Sequence, residues 1–169
     1  IIFSGNMSYE PNIQAVNWFI ENCFKDIITE IKNAQFVICG AYPSKYIRSL
    51  ESSNITVLGF VPSIEKEIQE SFVAIAPMIS GSGMQTKILE SMSCGTPVVT
   101  TSLGLGGIKA KNNKEIIVRD DPKSFSLAIL NLYMNKELYS SVSKLSRNFV
   151  VNHHSWENHI KKFLEIIKN

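Results

Sequence analysis

The chain has 169 residues, of which 44% are hydrophobic and 19% are charged, a composition typical of a single globular domain. Its 17 basic and 15 acidic residues leave a formal charge of +2, which is too balanced for a general binder of nucleic acids or membrane surfaces. A small phosphate site stays compatible with this charge. At this length, folding removes roughly 70% of the unfolded chain's surface from water, so the core needs no disulfide or structural metal.

Six short, almost continuously apolar runs predict β-strands that are covered on both faces. They lie at residues 1–4, 35–39, 55–58, 73–76, 97–101 and 115–118. Apolar residues at helical spacing, with prolines near the starts, predict the helices between and after them. These helices lie at residues 12–32, 44–51, 64–71, 84–93, 123–134, 137–150 and 156–167.

This alternation predicts an α/β domain with a doubly wound, parallel, six-stranded, Rossmann-like sheet and C-terminal helices, formed by residues 1–169 as one unit. In such a sheet, ligands bind in the crevice beyond the carboxyl ends of the strands. The loops to consider are therefore 5–11, 40–43, 59–62, 77–83 and 102–107.

The segment from residue 77 to residue 99 predicts an anion site, because it reads as a strand, a Gly-rich turn, a helix and a further strand. Gly81 and Gly83 lack side chains and would allow a phosphate to approach the backbone N–H groups at the helix start. Lys87 in the first helical turn opposes the helix dipole at a cost of about 0.3–1 kcal/mol, which a bound anion would offset.

An alternative interpretation of this segment is purely structural. The two glycines then form only a turn, and Lys87 makes a weak surface ion pair with Glu90, three residues later. The segment fits neither the Walker loop, which requires GK[ST], nor the dinucleotide fingerprint GxGxxG.

Other polar clusters do not predict a metal site. His153 and His154 are adjacent and would point in different directions near the start of the last predicted helix, for which Ser155 is a plausible N-cap. Asp120 and Asp121 precede a proline and are typical of a turn and a helix cap. The three cysteines are widely spaced in apolar surroundings, as expected for reduced thiols of a cytosolic protein: Cys23, Cys39 and Cys94.

An ordered set of segments, 3–12, 37–40, 57–61 and 76–99 with the closing residues 155–157, resembles a known family. It is similar to the C-terminal, donor-binding domain of the retaining glycosyltransferases with two Rossmann-like domains, also called fold type B, group 1 or family 4-like. The resemblance covers essentially the whole chain. It implies that the chain is the C-terminal half of a longer enzyme whose N-terminal domain holds the acceptor.

The resemblance also implies a site for the nucleoside diphosphate of a UDP-, GDP- or ADP-linked sugar, with no metal. Many members carry two glutamates separated by seven residues, the second of which binds the ribose hydroxyls; Glu90 matches the second, and Ser82 replaces the first. Many also clamp the phosphates with an Arg and a Lys in the first loop, whereas residues 5–12 contain no basic residue. Lys87 is therefore expected at the diphosphate, while Gly5 and Asn6 offer only backbone and amide donors.

The resemblance places the base beside Gly40, Phe60 and Val61, with main-chain groups of Val61 at its edge; the alternative for Phe60, which the sequence favours over stacking on the base, is an ordinary core aromatic. Lys87 and Glu90 are the best candidates for catalysis, and no other catalytic residue is assigned. The full expected donor-binding set is Gly5, Asn6, Gly40, Phe60, Val61, Gly81, Ser82, Gly83, Met84, Gln85, Thr86, Lys87 and Glu90.

The expected function is donor binding in a retaining enzyme that transfers a sugar to a glycan or a lipid-linked acceptor. The expected partners are the sugar nucleotide and the enzyme's own N-terminal domain, with no nucleic acid and no membrane insertion. The expected location is cytoplasmic, with contact to the inner membrane through the other domain.

Two alternative functions stay open. One is a sugar-nucleotide epimerase, which should show further acidic and His residues in these loops. The other is a non-catalytic interaction or receiver module, which should show an Asp at a strand end.

Overall fold

A computed structural model describes residues 1–155, 160 and 167 of the chain. Its centre is a six-stranded parallel sheet with the strand order β3-β2-β1-β4-β5-β6. The strands are β1 Ile2–Ser4, β2 Phe36–Cys39, β3 Ile55–Gly59, β4 Ala74–Ala76, β5 Val98–Thr100 and β6 Ile117–Val118. All six predicted strands are confirmed, as is the Rossmann-like α/β fold.

Helices connect the strands and cover both faces of the sheet. Within the described residues they are α1 Glu10–Phe19, α2 Lys25–Glu30, α3 Lys45–Ser49, α4 Ile64–Gln69, α5 Thr86–Ser93, α6 Ser102–Leu105, α7 Pro122–Met134 and α8 Lys136–His154. A π-helical turn, Ile20–Phe24, joins α1 to α2. None of the described helices combines the length and the apolar character that crossing a membrane requires.

The structure differs from the sequence prediction at several helix ends. The first helix begins at Glu10, two residues early, because Pro11 fits its opening turn. The helix after the Gly-rich turn begins at Thr86 instead of residue 84. The helix α8 extends to His154 instead of ending at residue 150, so His153 and His154 lie in its last turn. The predicted helix 156–167 lies outside the described residues, apart from 160 and 167.

Two apolar clusters, one on each face of the sheet, hold these elements together. On one face the Phe19 ring lies 4.9 Å from Phe36 and 6.1 Å from Phe125, between ring centroids. On the other face Ile88 and Met92 of α5 are fully buried against β4 and β5. Burying one such side chain contributes roughly 1.5–3 kcal/mol, so the inner face of α5 fixes where its amino-terminal end lies.

The strand order places a crevice between β1 and β4. Chain connections leave β1 towards β2 on one side and leave β4 towards β5 on the other, which is the topological switch point of this fold. The loops after β1 and β4 therefore diverge at the carboxyl edge of the sheet. This is the edge at which the sequence predicts the ligand site.

Candidate functional site

An open cleft of about 530 Å³ lies at the carboxyl edge, over the switch point. Ten of the thirteen expected donor-binding residues line it: Gly5, Asn6, Gly40, Phe60, Val61, Met84, Gln85, Thr86, Lys87 and Glu90. The loops after β1, β2 and β3 form one wall, and the first turns of α5 form the other. Residues far apart in sequence are thus brought together.

Gly81, Ser82 and Gly83 lie outside the residues that line this cleft. Gly81 and Gly83 have φ angles of +98° and +85°, so they form a left-handed turn three to five residues before α5 begins. A Cβ atom on Gly81 would come within 3.2 Å of Pro11, whereas one on Gly83 would meet nothing within 4 Å. The turn therefore packs on the start of α1, and α5 itself provides the cleft wall.

The amino-terminal end of α5 is open towards the cleft. Gln85 is its N-cap residue but makes no side-chain cap hydrogen bond, and Gln85 and Thr86 both line the cleft. Uncapped backbone N–H groups at a helix start are unsatisfied donors that carry partial positive charge. This arrangement favours an anion at that point.

Lys87 points into the protein and not along its surface. Its Nζ donates to Asn12 Oδ1 at 2.6 Å, lies 3.9 Å from the sulfur of Met78 and lies 4.2 Å from the centroid of the Phe3 ring. Burial lowers the pKa of the Lys87 ammonium to about 8, and the nearby Glu90 carboxylate opposes this shift. The alternative of a surface ion pair is wrong, because no carboxylate among the described residues lies within 4.0 Å of Lys87 Nζ.

Glu90 lies one turn further along α5, on the same wall of the cleft. Desolvation at this wall raises the pKa of Glu90, the carboxylate of Glu65 raises it further, and Lys87 lowers it. Glu65, on α4, also lines the cleft and was not singled out from the sequence. An ionised carboxylate accepts hydrogen bonds only, so Glu90 suits a ligand that carries hydroxyl groups.

The first loop offers fewer backbone donors than the sequence suggests. The N–H of Gly5 donates to the carbonyl of Cys39 at 2.9 Å, and the N–H of Gly40 donates to that of Gly59 at 2.8 Å. The Oδ1 of Asn6 accepts from the backbone N–H and the hydroxyl of Ser8, at 2.9 and 2.8 Å. The two glycines thus extend the sheet and form the floor of the cleft, and the amide NH₂ of Asn6 is the group that the loop presents.

Phe60 is 78% exposed beside the cleft, so the alternative of a core aromatic is wrong. Its neighbour Val61 is half-buried and lines the same end. The sequence missed Asn12, which is buried and accepts the hydrogen bond from Lys87. The feature of the sequence that could have pointed to Asn12 is its position one residue after Pro11, at the start of α1.

Metal ligands are not clustered in the part of the chain that the structure describes, where no three His, Cys, Asp or Glu side chains are close enough to hold an ion. Asp121 caps α7 through the N–H of Ser124 at 2.9 Å, as the sequence indicates. Asp120 accepts from the backbone N–H and the hydroxyl of Ser102, at 2.7 and 2.6 Å. Both aspartates therefore stabilise helix starts.

A Rossmann-like sheet with an open cleft at its switch point is the arrangement in which doubly wound α/β domains bind their ligands. The family model for glycosyl transferases group 1 matches residues 1–135, and the chain belongs to this family. A curated relative, an uncharacterized 44.6 kDa protein in the cps region of Klebsiella pneumoniae, is 25% identical over 164 residues. That alignment covers 88% of this chain and 42% of the relative.

Solved glycosyltransferases share the fold. A mutant of TarM from S. aureus, solved with fondaparinux, alpha-GlcNAc-glycerol and UDP, has a TM-score of 0.80 at 18% identity, covering 99% of this chain and 35% of TarM. The C-terminal domain of the group 1 family protein LpcC from Francisella tularensis has a TM-score of 0.76 at 13% identity, covering 92% of this chain and 86% of that domain. The chain thus spans less than half of the curated relative and of TarM.

Proposed function

We propose that the cleft binds the nucleoside diphosphate of a nucleotide-sugar donor and that the chain is the donor-binding part of a retaining glycosyltransferase. The observation that carries this proposal is the position of the Lys87 ammonium beside the uncapped start of α5, at the switch point of the sheet. A dianionic diphosphate suits this combination of one charged donor and several backbone donors. TarM, a structural neighbour, was solved with UDP, which supports the same ligand class here.

The remaining parts of the nucleotide fit the two ends of the cleft. Glu90, one turn after Lys87, would accept hydrogen bonds from the two ribose hydroxyls, since its carboxylate has acceptors only. The base would lie beside Gly40 and the exposed ring of Phe60, with main-chain groups of Val61 reading its edge. Ser82, in the place of the family's first glutamate, lies outside the cleft lining, so we assign it no contact.

Catalysis would be positional and electrostatic. The leaving nucleoside diphosphate gains negative charge as the glycosidic bond to the sugar breaks, and Lys87 together with the first turn of α5 would stabilise that charge. Glu90 would hold the ribose and so orient the donor. The acceptor, a glycan or a lipid-linked glycan, would be held by a further domain of the enzyme, which would act in the cytoplasm without a protein-bound metal.

Calorimetric titration of the chain with UDP, GDP and ADP, each beside its nucleoside, tests this function. Replacing Lys87 by Met removes the charge but keeps a stem of similar length against Phe3. A hydrogen bond to a charged group contributes about 1.5–3 kcal/mol, so Lys87→Met should weaken diphosphate binding roughly tenfold to hundredfold and leave nucleoside binding almost unchanged. Lys144→Met, on the exposed side of α8, is the matched control.

Two results would contradict the proposal in different ways. If none of the three nucleoside diphosphates binds the wild-type chain, the cleft is not a donor site. If one binds but Lys87→Met weakens the diphosphate and the nucleoside equally, the phosphate role of Lys87 is wrong. Thermal unfolding of each variant shows that the comparison is made between folded proteins.

A further inference from the structure

The side-chain amide of Asn12 connects the two walls of the cleft. Its Oδ1 accepts from Lys87 Nζ at 2.6 Å, and its Nδ2 donates to the backbone carbonyl of Asn6 at 2.9 Å. Asn12 is 5% exposed, and its own N–H donates to the carbonyl of Tyr9 at 2.9 Å. One buried amide thus joins α5 to the loop after β1.

The orientation of this amide is fixed by its two neighbours. The ammonium of Lys87 can only donate, and the carbonyl of Asn6 can only accept, so the amide oxygen must face Lys87 and the amide nitrogen must face Asn6. Gly5 leaves the space for this contact. A Cβ atom there would lie 2.7 Å from Asn12 Nδ2 and 3.2 Å from Lys87 Nζ.

Asn12 holds the ammonium without cancelling its charge. A carboxylate at this position would form an ion pair with Lys87, whereas a neutral amide supplies a strong acceptor and leaves the positive charge available to a ligand. The Phe3 ring and the Met78 sulfur, which also lie close to Lys87 Nζ, are uncharged. A lysine side chain without such a partner has a flexible four-carbon stem, and a ligand that binds its ammonium loses affinity because the stem must be ordered on binding.

We propose that Asn12 is a positioning residue, which orients the Lys87 ammonium and the Asn6 loop towards a bound diphosphate before the ligand arrives. This inference rests on the proposed function for the identity of the ligand. The hydrogen bonds of Asn12 to Lys87 and Asn6 are formed within the chain, so the effect of Asn12 on Lys87 can be measured separately from nucleotide binding.

The first experiment needs no nucleotide. An amine-reactive ester labels Lys87 in its neutral form, and mass spectrometry of the chain labelled at different pH values gives the midpoint of its titration. The midpoint should lie near pH 8 in the wild type and move up by about one unit or more in Asn12→Asp, because the new carboxylate stabilises the ammonium. Glu90 is the charged group that already acts on Lys87 and is the same in both proteins.

Asn17→Ala is the matched control, because Asn17 lies on the same helix and its amide also accepts a side-chain hydrogen bond, from Tyr46. Its Lys87 midpoint should equal that of the wild type. An unchanged midpoint in Asn12→Asp would overturn the proposal, since Asn12 would then not contact the ammonium in solution.

The second experiment measures binding of whichever of UDP, GDP and ADP binds the wild type best. Asn12→Asp should weaken the diphosphate roughly tenfold to hundredfold and its nucleoside less than twofold, because it neutralises Lys87 and adds a negative charge beside the phosphates. Asn12→Ser, which adds no charge, should lower the affinity for the diphosphate about threefold to tenfold. If Asn12→Asp does not fold, Asn12→Ser still tests the positioning role by its affinity for the diphosphate.

The outcomes separate the two proposals. If no nucleotide binds the wild type, the proposed function fails, while the labelling experiment still decides whether Asn12 orients Lys87. If a nucleoside diphosphate binds the wild type and both Asn12 variants equally well, the positioning role is overturned and the proposed function stands.

Discussion

Gly40 lies so close to Gly5 that a Cβ atom on Gly40 would come within 1.7 Å of the Gly5 carbonyl oxygen. The two residues follow the neighbouring parallel strands β1 and β2, and their backbones pack directly on each other below the cleft. Gly40 also has a φ angle of +143°, which L side chains rarely adopt. Steric space and backbone conformation both require glycine at this point.

Gly40→Ala should therefore destabilise the protein and distort the cleft floor. Strained backbone costs about 1–3 kcal/mol and overpacking costs a similar amount, so we expect the free energy of unfolding to fall by at least about 2 kcal/mol in urea titration. Gly107→Ala is the matched control, because a Cβ atom there would meet nothing within 4 Å. Equal stability of the two variants would contradict the close contact of Gly40 with Gly5.

Replacement of Glu90 by Gln tests the proposed contact between Glu90 and the ribose. A neutral amide accepts hydrogen bonds more weakly than a carboxylate, so Glu90→Gln should weaken both the nucleoside and the nucleoside diphosphate by roughly tenfold. This pattern differs from that of Lys87→Met, which should affect the diphosphate alone. Calorimetry with both ligands distinguishes the two roles, and Glu21→Gln, on the exposed side of the π-helical turn, is the control. A loss confined to the diphosphate would exclude a ribose contact.

The fold could be predicted because its strands are buried on both faces. Each strand then appears in the sequence as a short apolar run, and strands such as β4 and β5 are buried at every residue. Residues 102–107 are predicted as a loop because three of them are glycines, which disfavour helices. Ser102–Leu105 nevertheless form a short helix, which the side chain of Thr101 caps and a tertiary contact also stabilises. That contact is the pair of hydrogen bonds from Ser102 to Asp120, which no local pattern reveals.

The site was harder to predict than the fold. The spacing of Lys87 and Glu90 on one helix indicates that both could face a ligand, but it does not reveal that Lys87 turns inward. That conformation depends on Asn12, 75 residues earlier in the chain. The residues around Phe60 also do not predict that its ring is exposed, because an aromatic residue after a buried strand is more often part of a core.

The pH dependence of nucleotide binding should follow the protonation state of the Lys87 ammonium. Burial lowers the pKa of its ammonium to about 8 in the free protein, and a bound diphosphate would raise it again. The protonated form is thus the one that binds, so diphosphate affinity should fall about twofold between pH 7 and pH 8 and up to tenfold per pH unit above pH 8. The second phosphate ionisation lies near pH 6 and does not interfere.

Two controls accompany this titration. The matching nucleoside carries no phosphate, so its affinity at pH 7 and pH 9 measures the part of any change that comes from ionisation of a uracil or guanine base, and the diphosphate should lose more affinity than this. The affinity of Lys87→Met for the diphosphate should be lower at pH 7 and should change between pH 7 and pH 9 only as much as that of the nucleoside. A wild-type affinity that stays constant up to pH 9.5 would show that the ammonium does not bind the phosphates.

The chain by itself should bind a nucleotide sugar without consuming it. Proximity catalysis requires both reactants to be held in place and supplies several kcal/mol by doing so, whereas the cleft described here has groups suited to one of them. The chain spans 42% of its curated relative and 35% of TarM, so much of a related protein lies outside it. Incubation with a nucleotide sugar that binds should therefore release nucleoside diphosphate no faster than buffer does.

Rapid release of nucleoside diphosphate by the chain alone would mean that it carries a catalytic group other than Lys87 and Glu90. Ser82 and the pair His153 and His154 are the first residues to replace by Ala in that case. Ser82 precedes the cleft wall on the exposed Gly-rich turn, and the histidines line a different cavity, with Lys109 and Lys111. Loss of release in Ser82→Ala would place the reaction at the Gly-rich turn, which leads into α5 but whose residues 81–83 do not line the cleft. Loss in the His153→Ala or His154→Ala variant would instead place it at the second cavity, which shares no lining residue with the cleft.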